Sequence, residues 1–507
     1  ASDQLWPVGP TPLAPYAATE IPAVEAACRI NNSTAAVMRP EDNQTFDEIG
    51  IHVDTTFFKL FDFRLIEGNR QVPFPNKNSI ILTEALAKKY FGHADALGRT
   101  VQINTNPAES DRMTPFTVSG IVESFPKNSS IEADFLLPFS IEEDRYTANG
   151  SSLDEHWGTF SYPTFFLLKP DAAPLAVAQQ LGDLQRRHSD EAFFQTLVYY
   201  LQPLSQVHLL DAKGRDRGMQ QVRIFAIVAG IILLIACINY VNLITARATR
   251  RSKEVGMRKI VGASRADLFW QFITESVVVF VLALLLAIAL TYAAIPLYNN
   301  LSGKTMIFSL MEPRIWVLFG GTLLSVVLLA GVYPALLLSA FNPATALKGI
   351  LPGIGRNSSF RKLLVVVQFC CSVVLIIGTL IISRQLEYIR KKDLGYDKEN
   401  VFRFNQKNFL SRFEAVRTEL ERQPGIEGVT AASDDISNIG SASGDIEWEG
   451  KPAHMANFMI NQLSVDHRFP EILGLEIVDG RGFTGTPADT NHILLNETAV
   501  APMGLTE

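Results

Sequence analysis

Adjacent carboxylates are the first residues whose types allow chemistry. Glu142-Glu143 and Asp434-Asp435 are acid pairs, but both read as lying in polar loops, and general acid/base work needs an enclosed site that tunes the two groups. Ser302-Gly303-Lys304-Thr305 imitates the end of a phosphate-binding loop. The first glycine of such a loop would fall at Tyr298, so the stretch reads as a turn. The eight histidines show neither HExxH nor paired-ligand spacing, and packing outweighs ligation for His208, so no metal ligand is assigned. Cys237, Cys370 and Cys371 lie in apolar runs and Cys28 stands alone in a polar region. All four read as small buried apolar residues rather than a disulfide framework. No nucleophile, base and orienting residue cluster, and no catalytic residue is assigned.

Three polar residues sit where polarity is costly. Asn239 and Asn242 are three apart, on one face of an apolar helix; lining a path is the functional reading, and interhelical hydrogen-bond glue is the favoured one. Glu275 lies about two turns inside another apolar run. An intramembrane carboxylate is a functional candidate by default, and pairing with a nearby arginine is the favoured reading.

The elements that carry these residues are long and apolar. Hydrophobic residues make up 47% of the 507, unevenly spread. Four runs reach the ~20 residues that cross a hydrocarbon core: Val222–Ala246, Leu268–Ile295, Ile315–Ala340 and Leu363–Ser383. Two of them are apolar nearly all round, which argues against buried helices of a soluble protein, since those keep a polar stripe. Residues 1–221 hold 18 Lys/Arg and 28 Asp/Glu, residues 222–384 hold 15 and 4, and residues 385–507 hold 12 and 20. A basic middle between acidic flanks, with its basic residues bordering apolar runs, points to a membrane surface and not to nucleic acid.

Loop charge gives an orientation. Arg247, Arg250, Arg251, Lys253, Arg258, Lys259 and Arg265 follow the first run, and Lys348, Arg356, Arg361 and Lys362 follow the third; only Lys304 and Arg314 lie between the second and third. The positive-inside rule places residues 247–267 and 341–362 in the cytoplasm, with 1–221, 296–314 and 384–507 outside. Within Arg247–Asp267, Met257, Ile260, Val261, Ser264 and Leu268 fall at helical spacing opposite the charges, the pattern of a short amphipathic helix lying along the inner surface. Gly262 is placed to end it, and Ser264 with Asp267 three later forms a capping box for the next span. A polybasic lipid contact explains the charge but not the ordered Glu254, Gly256, Gly262 and Ser264.

Arg251–Leu268 (RSKEVGMRKIVGASRADL) resembles the signature loop of the FtsX-like permeases, the MacB type of ABC transporter. Gly331–Gly349, with Tyr333-Pro334-Ala335, Asn342-Pro343 and Leu347-Lys348, is similar to that family's exit from its third span; Leu201–Leu210 resembles its return to the membrane. Arg361–Val401 looks like its leading span and stalk. The resemblance implies that the loop is a coupling helix docking on a separate ATPase, with Arg250, Lys253, Glu254, Gly256, Met257, Arg258, Lys259 and Gly262 as contact positions. Val255 and Met257 replace the family's frequent Ile and keep its apolar character.

Two stretches outside the membrane block repeat. Val53-Asp54-Thr55-Thr56-Phe57 through Glu67-Gly68 aligns without gaps with Val465-Asp466-His467-Arg468-Phe469 through Asp479-Gly480, and Ile80–Glu84 with Ile493–Glu497. Ser79–Leu82, Thr117–Val122 and Thr164–Leu168 read as strands, Glu84–Phe91 and Ala173–His188 as helices. The expected fold is an α-helical transmembrane bundle plus mixed α/β periplasmic core domains, the second copy beginning in 384–507. On the family pattern the chain is expected to be a fragment truncated at both ends, of a doubled protein with eight spans.

The resulting expectation is a non-catalytic permease subunit of the bacterial inner membrane. It would carry the motion of a partner ABC ATPase to periplasmic domains, for export of a drug, peptide or lipid-linked substrate. The chain itself carries no cofactor; ATP and Mg belong to the partner. Membrane lipids, a periplasmic adaptor and an outer-membrane channel complete the implied partners. The alternatives are a signalling permease that senses peptides or activates a cell-wall hydrolase, and a membrane-anchored enzyme, for which no catalytic cluster speaks.

Overall fold

The computed structural model describes the chain except residues 1–4, 40–42, 93–94, 106–111, 127–128, 149–151, 190–196, 304, 341–353, 397–399, 405–411, 438, 445, 453–454, 456–457 and 506–507. Two compact units emerge. One comprises Ala1–Val207, Asp211–Arg215 and Asp393–Glu507; the other comprises His208–Leu210 and Asp216–Lys392.

Apolar runs at strand length build the first outer domain. Its strands are β1 (Gly9–Pro10), β2 (Val24–Met38), β3 (Thr45–Val53), β4 (Leu65–Gly68), β5 (Ser79–Thr83), β6 (Thr100–Asn104), β7 (Thr114–Val122), β8 (Phe135–Pro138), β9 (Phe160–Tyr162) and β10 (Thr164–Leu168). Its helices are α1 (Leu13–Glu20), α2 (Phe57–Leu60), α3 (Glu84–Phe91), α4 (Ser140–Ala148) and α5 (Pro174–His188). The main sheet is ordered β10-β2-β3-β8-β5-β7-β4, with β6 pairing β2 and β7. The β2–β3 hairpin is antiparallel from Ile30↔Val53 to Met38↔Thr45, whereas β8 runs parallel to β3 and β5 parallel to β7. Every residue of β5 is buried. Ile80 and Leu82 pack with Leu86, Tyr90 and Phe91 of α3 on one face, and Ile81 packs with Phe57 and Phe58 of α2 on the other. A strand covered on both faces reads as a continuous apolar run and not as an alternation.

The other unit holds the spans: α6 (Met219–Ile260), α7 (Arg265–Ser302), α8 (Pro313–Val326), a wide turn at Val327–Gly331 leading into α9 (Val332–Ser339), and α10 (Ile354–Lys391). Four segments are long and apolar enough to cross a membrane: Met219–Arg247, Arg265–Ser302, Pro313–Ser339 and Ser359–Lys391. The sequence reading of a separate amphipathic helix after the first span is corrected here. Arg247 to Ile260 continues α6 without a break, for 42 residues in all. No proline or glycine but Gly256 interrupts the last three turns, so nothing stops propagation once the span has nucleated the helix. At 1.5 Å per residue α6 is about 63 Å long, about twice a ~30 Å hydrocarbon core. α10 likewise begins at Ile354, inside the stretch read as a linker; residues 341–353 of that stretch lie outside the described ones.

The repeated stretches correspond at two helix starts, although Ile493–Leu495 forms no strand where Ile80–Leu82 belongs to β5. In Asp393–Glu507 the elements are α11 (Phe413–Glu421), a two-residue ladder of β11 (Ala442–Ser443) and β12 (Ile460–Asn461), α12 (Phe469–Ile472) and α13 (Glu497–Met503). The Phe57 amide donates to the Asp54 carbonyl at 3.0 Å, and the Phe469 amide to the Asp466 carbonyl at 3.0 Å. Thr83 caps α3 by accepting from the Leu86 amide; Asn496 caps α13 by accepting from the Ala499 amide. Both helices end on a glycine of positive φ, Gly92 at +64° and Gly504 at +67°.

Candidate partner-docking site

The site is the corner at which α6 turns into α7. Gly262 has φ +111°, a conformation open to glycine and costly for other residues. The Gly262 amide donates to the Lys259 carbonyl at 3.1 Å and the Ala263 amide to the Arg258 carbonyl at 3.0 Å, the two bonds of a Schellman ending. Arg258 and Lys259 stand in that last turn, where cations complement the helix dipole. α7 then starts on a capping box: Ser264 Oγ accepts from the Asp267 amide at 3.2 Å and Asp267 Oδ2 accepts from the Ser264 amide at 2.9 Å. Two helices of 42 and 38 residues are thus joined by a fixed four-residue corner.

The last turns of α6 form a lever with two unlike faces. Val255, 2% exposed, packs with Leu268, Phe272 and Ile273 of α7 and with Ala335 and Leu338 of α9. Three polar contacts flank this seam. Arg251 Nη1 donates to Glu275 Oε2 at 2.5 Å, Arg258 Nη1 donates to Gln271 Oε1 at 2.5 Å, and Lys259 Nζ donates to the Ser339 carbonyl at 2.6 Å. Burial, aided by the Arg265 charge, lowers the Lys259 ammonium below the ordinary lysine range. The opposite face carries Met257, Ile260 and Val261, which are 55%, 57% and 83% exposed, beside the Glu254–Arg258 ion pair at 2.7 Å. An apolar tip rimmed by charge has the composition of a protein-docking surface.

The candidate positions therefore divide. Glu254, Met257, Arg258 and Gly262 are exposed, Gly256 is buried, and Lys259 is turned toward α9. Arg250 and Lys253 lie on α6, with side chains outside the described set. Glu275 is held by Arg251 and by Gln271 Nε2, which donates to Oε1 at 3.3 Å. The asparagines do not act as interhelical glue within the described residues: Asn239 is exposed, and Asn242 Oδ1 is buried without a partner. Tyr240, between them in sequence, makes that contact. Its hydroxyl donates to Ser276 Oγ at 3.0 Å, and Ser276 Oγ donates on to the Phe272 carbonyl. The signal for it was Tyr240 beside Asn239 and Ser276 beside Glu275, a phenol and a hydroxyl too weakly polar to stand out in an apolar run.

The carboxylate pairs are bound up in structure, and Glu142-Glu143 lies on α4 with Glu142 buried, not in a polar loop. Glu143 meets Arg29 at 3.1 Å and Glu142 meets Arg145 at 3.1 Å; burial raises the Glu143 carboxyl against the pull of Arg29. Arg29, its side chain 5% exposed, also holds Asp54 and Asp154 at 2.9 and 3.0 Å and lies 4.1 Å from the centre of the Phe139 ring. Asp435 is held by Ser437 and Arg403, and Asp434 accepts from the Ser441 amide. Among the described residues no three His, Cys, Asp or Glu stand together as metal ligands. Cys28 and Cys237 are buried, but Cys370 is exposed on α10, against the reading of four buried thiols.

Two family models match these two units: a MacB-like periplasmic core domain over residues 3–184 and an FtsX-like permease C-terminal domain over residues 226–343. The chain belongs to the FtsX-like, MacB-type permeases. It is 26% identical over 314 residues to the macrolide export ATP-binding/permease protein MacB of Chromobacterium violaceum, covering 59% of this chain and 42% of that one. It is 24% identical over 272 residues to the ABC transporter permease YknZ of Bacillus subtilis, covering 53% of this chain and 61% of that one. The chain spans about half the length of the curated relatives it matches. A solved permease domain from Porphyromonas gingivalis is 30% identical with TM-score 0.31, covering 36% of this chain and 80% of that one. The periplasmic region of MacB from Actinobacillus actinomycetemcomitans is 17% identical with TM-score 0.26, covering 35% and 72%. This permease is accordingly a membrane protein with four candidate transmembrane helices and a mixed α/β core domain of the periplasmic type.

Proposed function

We propose that this permease is the moving membrane part of an ABC export system: a separate ATPase in the cytoplasm docks on the lever and its ATP-driven motion is passed through the spans to the periplasmic domains. The observation that carries the reading is the unbroken α6, which makes span and lever one rigid body capped by an exposed apolar tip of Met257, Ile260 and Val261. A helix without a joint transmits displacement instead of absorbing it, since bending needs a proline, a glycine pair or a wide turn. ATP and Mg belong to the partner, and this chain supplies docking and transmission. The basic charge of the lever supports a reading in which the protein sits in a bacterial inner membrane with its lever on the cytoplasmic side. Drugs, peptides and lipid-linked molecules are the substrate classes, with a periplasmic adaptor and outer-membrane channel as further partners.

The test mixes the full-length permease with its ATPase in lipid nanodiscs. Glu254→Lys and Gly262→Pro are each expected to abolish stimulation of ATP hydrolysis by the permease. Stimulation at the wild-type level in both variants overturns the reading.

A further inference from the structure

The third span carries a wide turn and a proline in sequence. Pro334 offers no N–H to the Ala330 carbonyl, and its ring crowds the preceding turn. The helix answers with a wide turn over Val327–Gly331, closed by the Val332 amide on the Val327 carbonyl, five residues back. That turn lies where three spans meet. Ala330 is fully buried, and a Cβ on Gly331 would stand 3.6 Å from Ser276 Cβ and 3.8 Å from Phe280 Cε2. Ser276 in turn accepts the Tyr240 hydroxyl of α6. Past the turn α9 runs only eight residues, about 12 Å, to Ser339. The Ser339 carbonyl is among the last four of the helix, which have no intrahelical donor. The Lys259 ammonium fills that need from the lever, 80 residues away in sequence.

We propose that Lys259 is a positioning residue that straps α9 to the lever, so that α9 swings with the lever about the wide turn while α8 keeps its place. The inference rests on the lever being the input from an ATPase. Arg251 and Arg258 tie the lever to α7, its neighbour across the corner, and cannot move α9. Val255 packs against Ala335 and Leu338 without direction; the charge-assisted bond of Lys259 fixes where the end of α9 must go. The wide turn supplies the joint that α6 lacks, and its small residues, Ala330 and Gly331, leave the pivot free of side chains that would wedge it.

The experiment uses full-length permease with its four described cysteines replaced, in nanodiscs with its ATPase. Spin labels on Leu324→Cys in α8 and Leu336→Cys in α9 read the distance across the joint with and without ATP. The distance is expected to shift with ATP in the parent protein and with Lys259→Arg. In Lys259→Met, measured with the ATPase at saturating concentration, the shift is lost. Pro334→Ala, which restores the missing N–H, is expected to lose it too. A shift that persists in Lys259→Met, or one lost equally in Lys259→Arg, overturns the strap. Failure of the ATPase to co-purify with the parent permease overturns the docking reading and the strap with it.

Discussion

Arg251 and Glu275 stand 24 residues apart in sequence, and their side chains meet at 2.5 Å across the seam between the lever and the second span. The bond ties the lever to the second span about two to three turns past the corner. Its role is alignment. Arg251→Glu and Glu275→Arg are each expected to lower permease-stimulated ATP hydrolysis, and the double exchange to restore most of it. A double variant no better than the singles shows that the pair aligns nothing.

The corner is expected to be sensitive out of proportion to its size. Gly262→Ala forces a side chain into φ +111° and costs about 1 kcal/mol or more; Ser264→Ala removes the cap of α7 and costs about 1 kcal/mol. The two should add, since they act on different helix ends, giving a drop in the melting temperature of the detergent-solubilised protein. Gly230→Ala, mid-span with open space around its Cβ, should not lower it.

Arg29 is surrounded by Asp54, Glu143 and Asp154, so its removal leaves three carboxylates facing one another in a half-buried site. Arg29→Met should destabilise the outer domain by about 3–5 kcal/mol. Urea unfolding measures this, and a loss below about 1 kcal/mol shows that solvent already screens the cluster.

His52 gives the outer domain an acid limit. Burial first, and the Arg145 charge second, push its imidazole from 6.5 down to about 3. Glu142 approaches Nδ1 at 3.2 Å without hydrogen-bond geometry, and neither ring nitrogen has a hydrogen-bond partner among the described residues. The folded state therefore holds fewer protons than the unfolded state between these values. Stability is complete above about pH 6.5 and falls by about 1.4 kcal/mol per unit as the pH drops toward 3. His52→Gln should flatten that slope in urea midpoints taken at pH 7.5, 6 and 5.

The sequence made the spans legible because length and apolarity alone define them, and the capping box and Gly262 because caps are local. Asp54 and Asp466 were legible as a repeat for the same reason. What escaped depends on contacts distant in sequence. Arg29 carries no sign that three acids converge on it. The change from apolar to basic at Arg247 looked like the end of a helix, yet composition marks where a membrane surface lies and not where backbone hydrogen bonding stops. Asn239 and Asn242 drew attention by polarity, while the hydroxyl that reaches a neighbour belongs to Tyr240, whose ring is long enough to cross the gap. Pro334 was seen as part of a motif, but its compensating wide turn needs the packing of Gly331 on Ser276 to be explained.

An unbroken α6 also has a phase. Each residue added between Asn242 and Arg251 turns everything beyond it by about 100° and advances it by about 1.5 Å. One inserted alanine after Thr245 would swing Met257, Ile260 and Val261 away from a waiting partner and aim Val255 at water. Four would bring the same face back to within about 40° of its first bearing. The direction in which this protein presents itself to a motor is therefore a matter of counting, fixed by the number of residues between the bilayer and the tip.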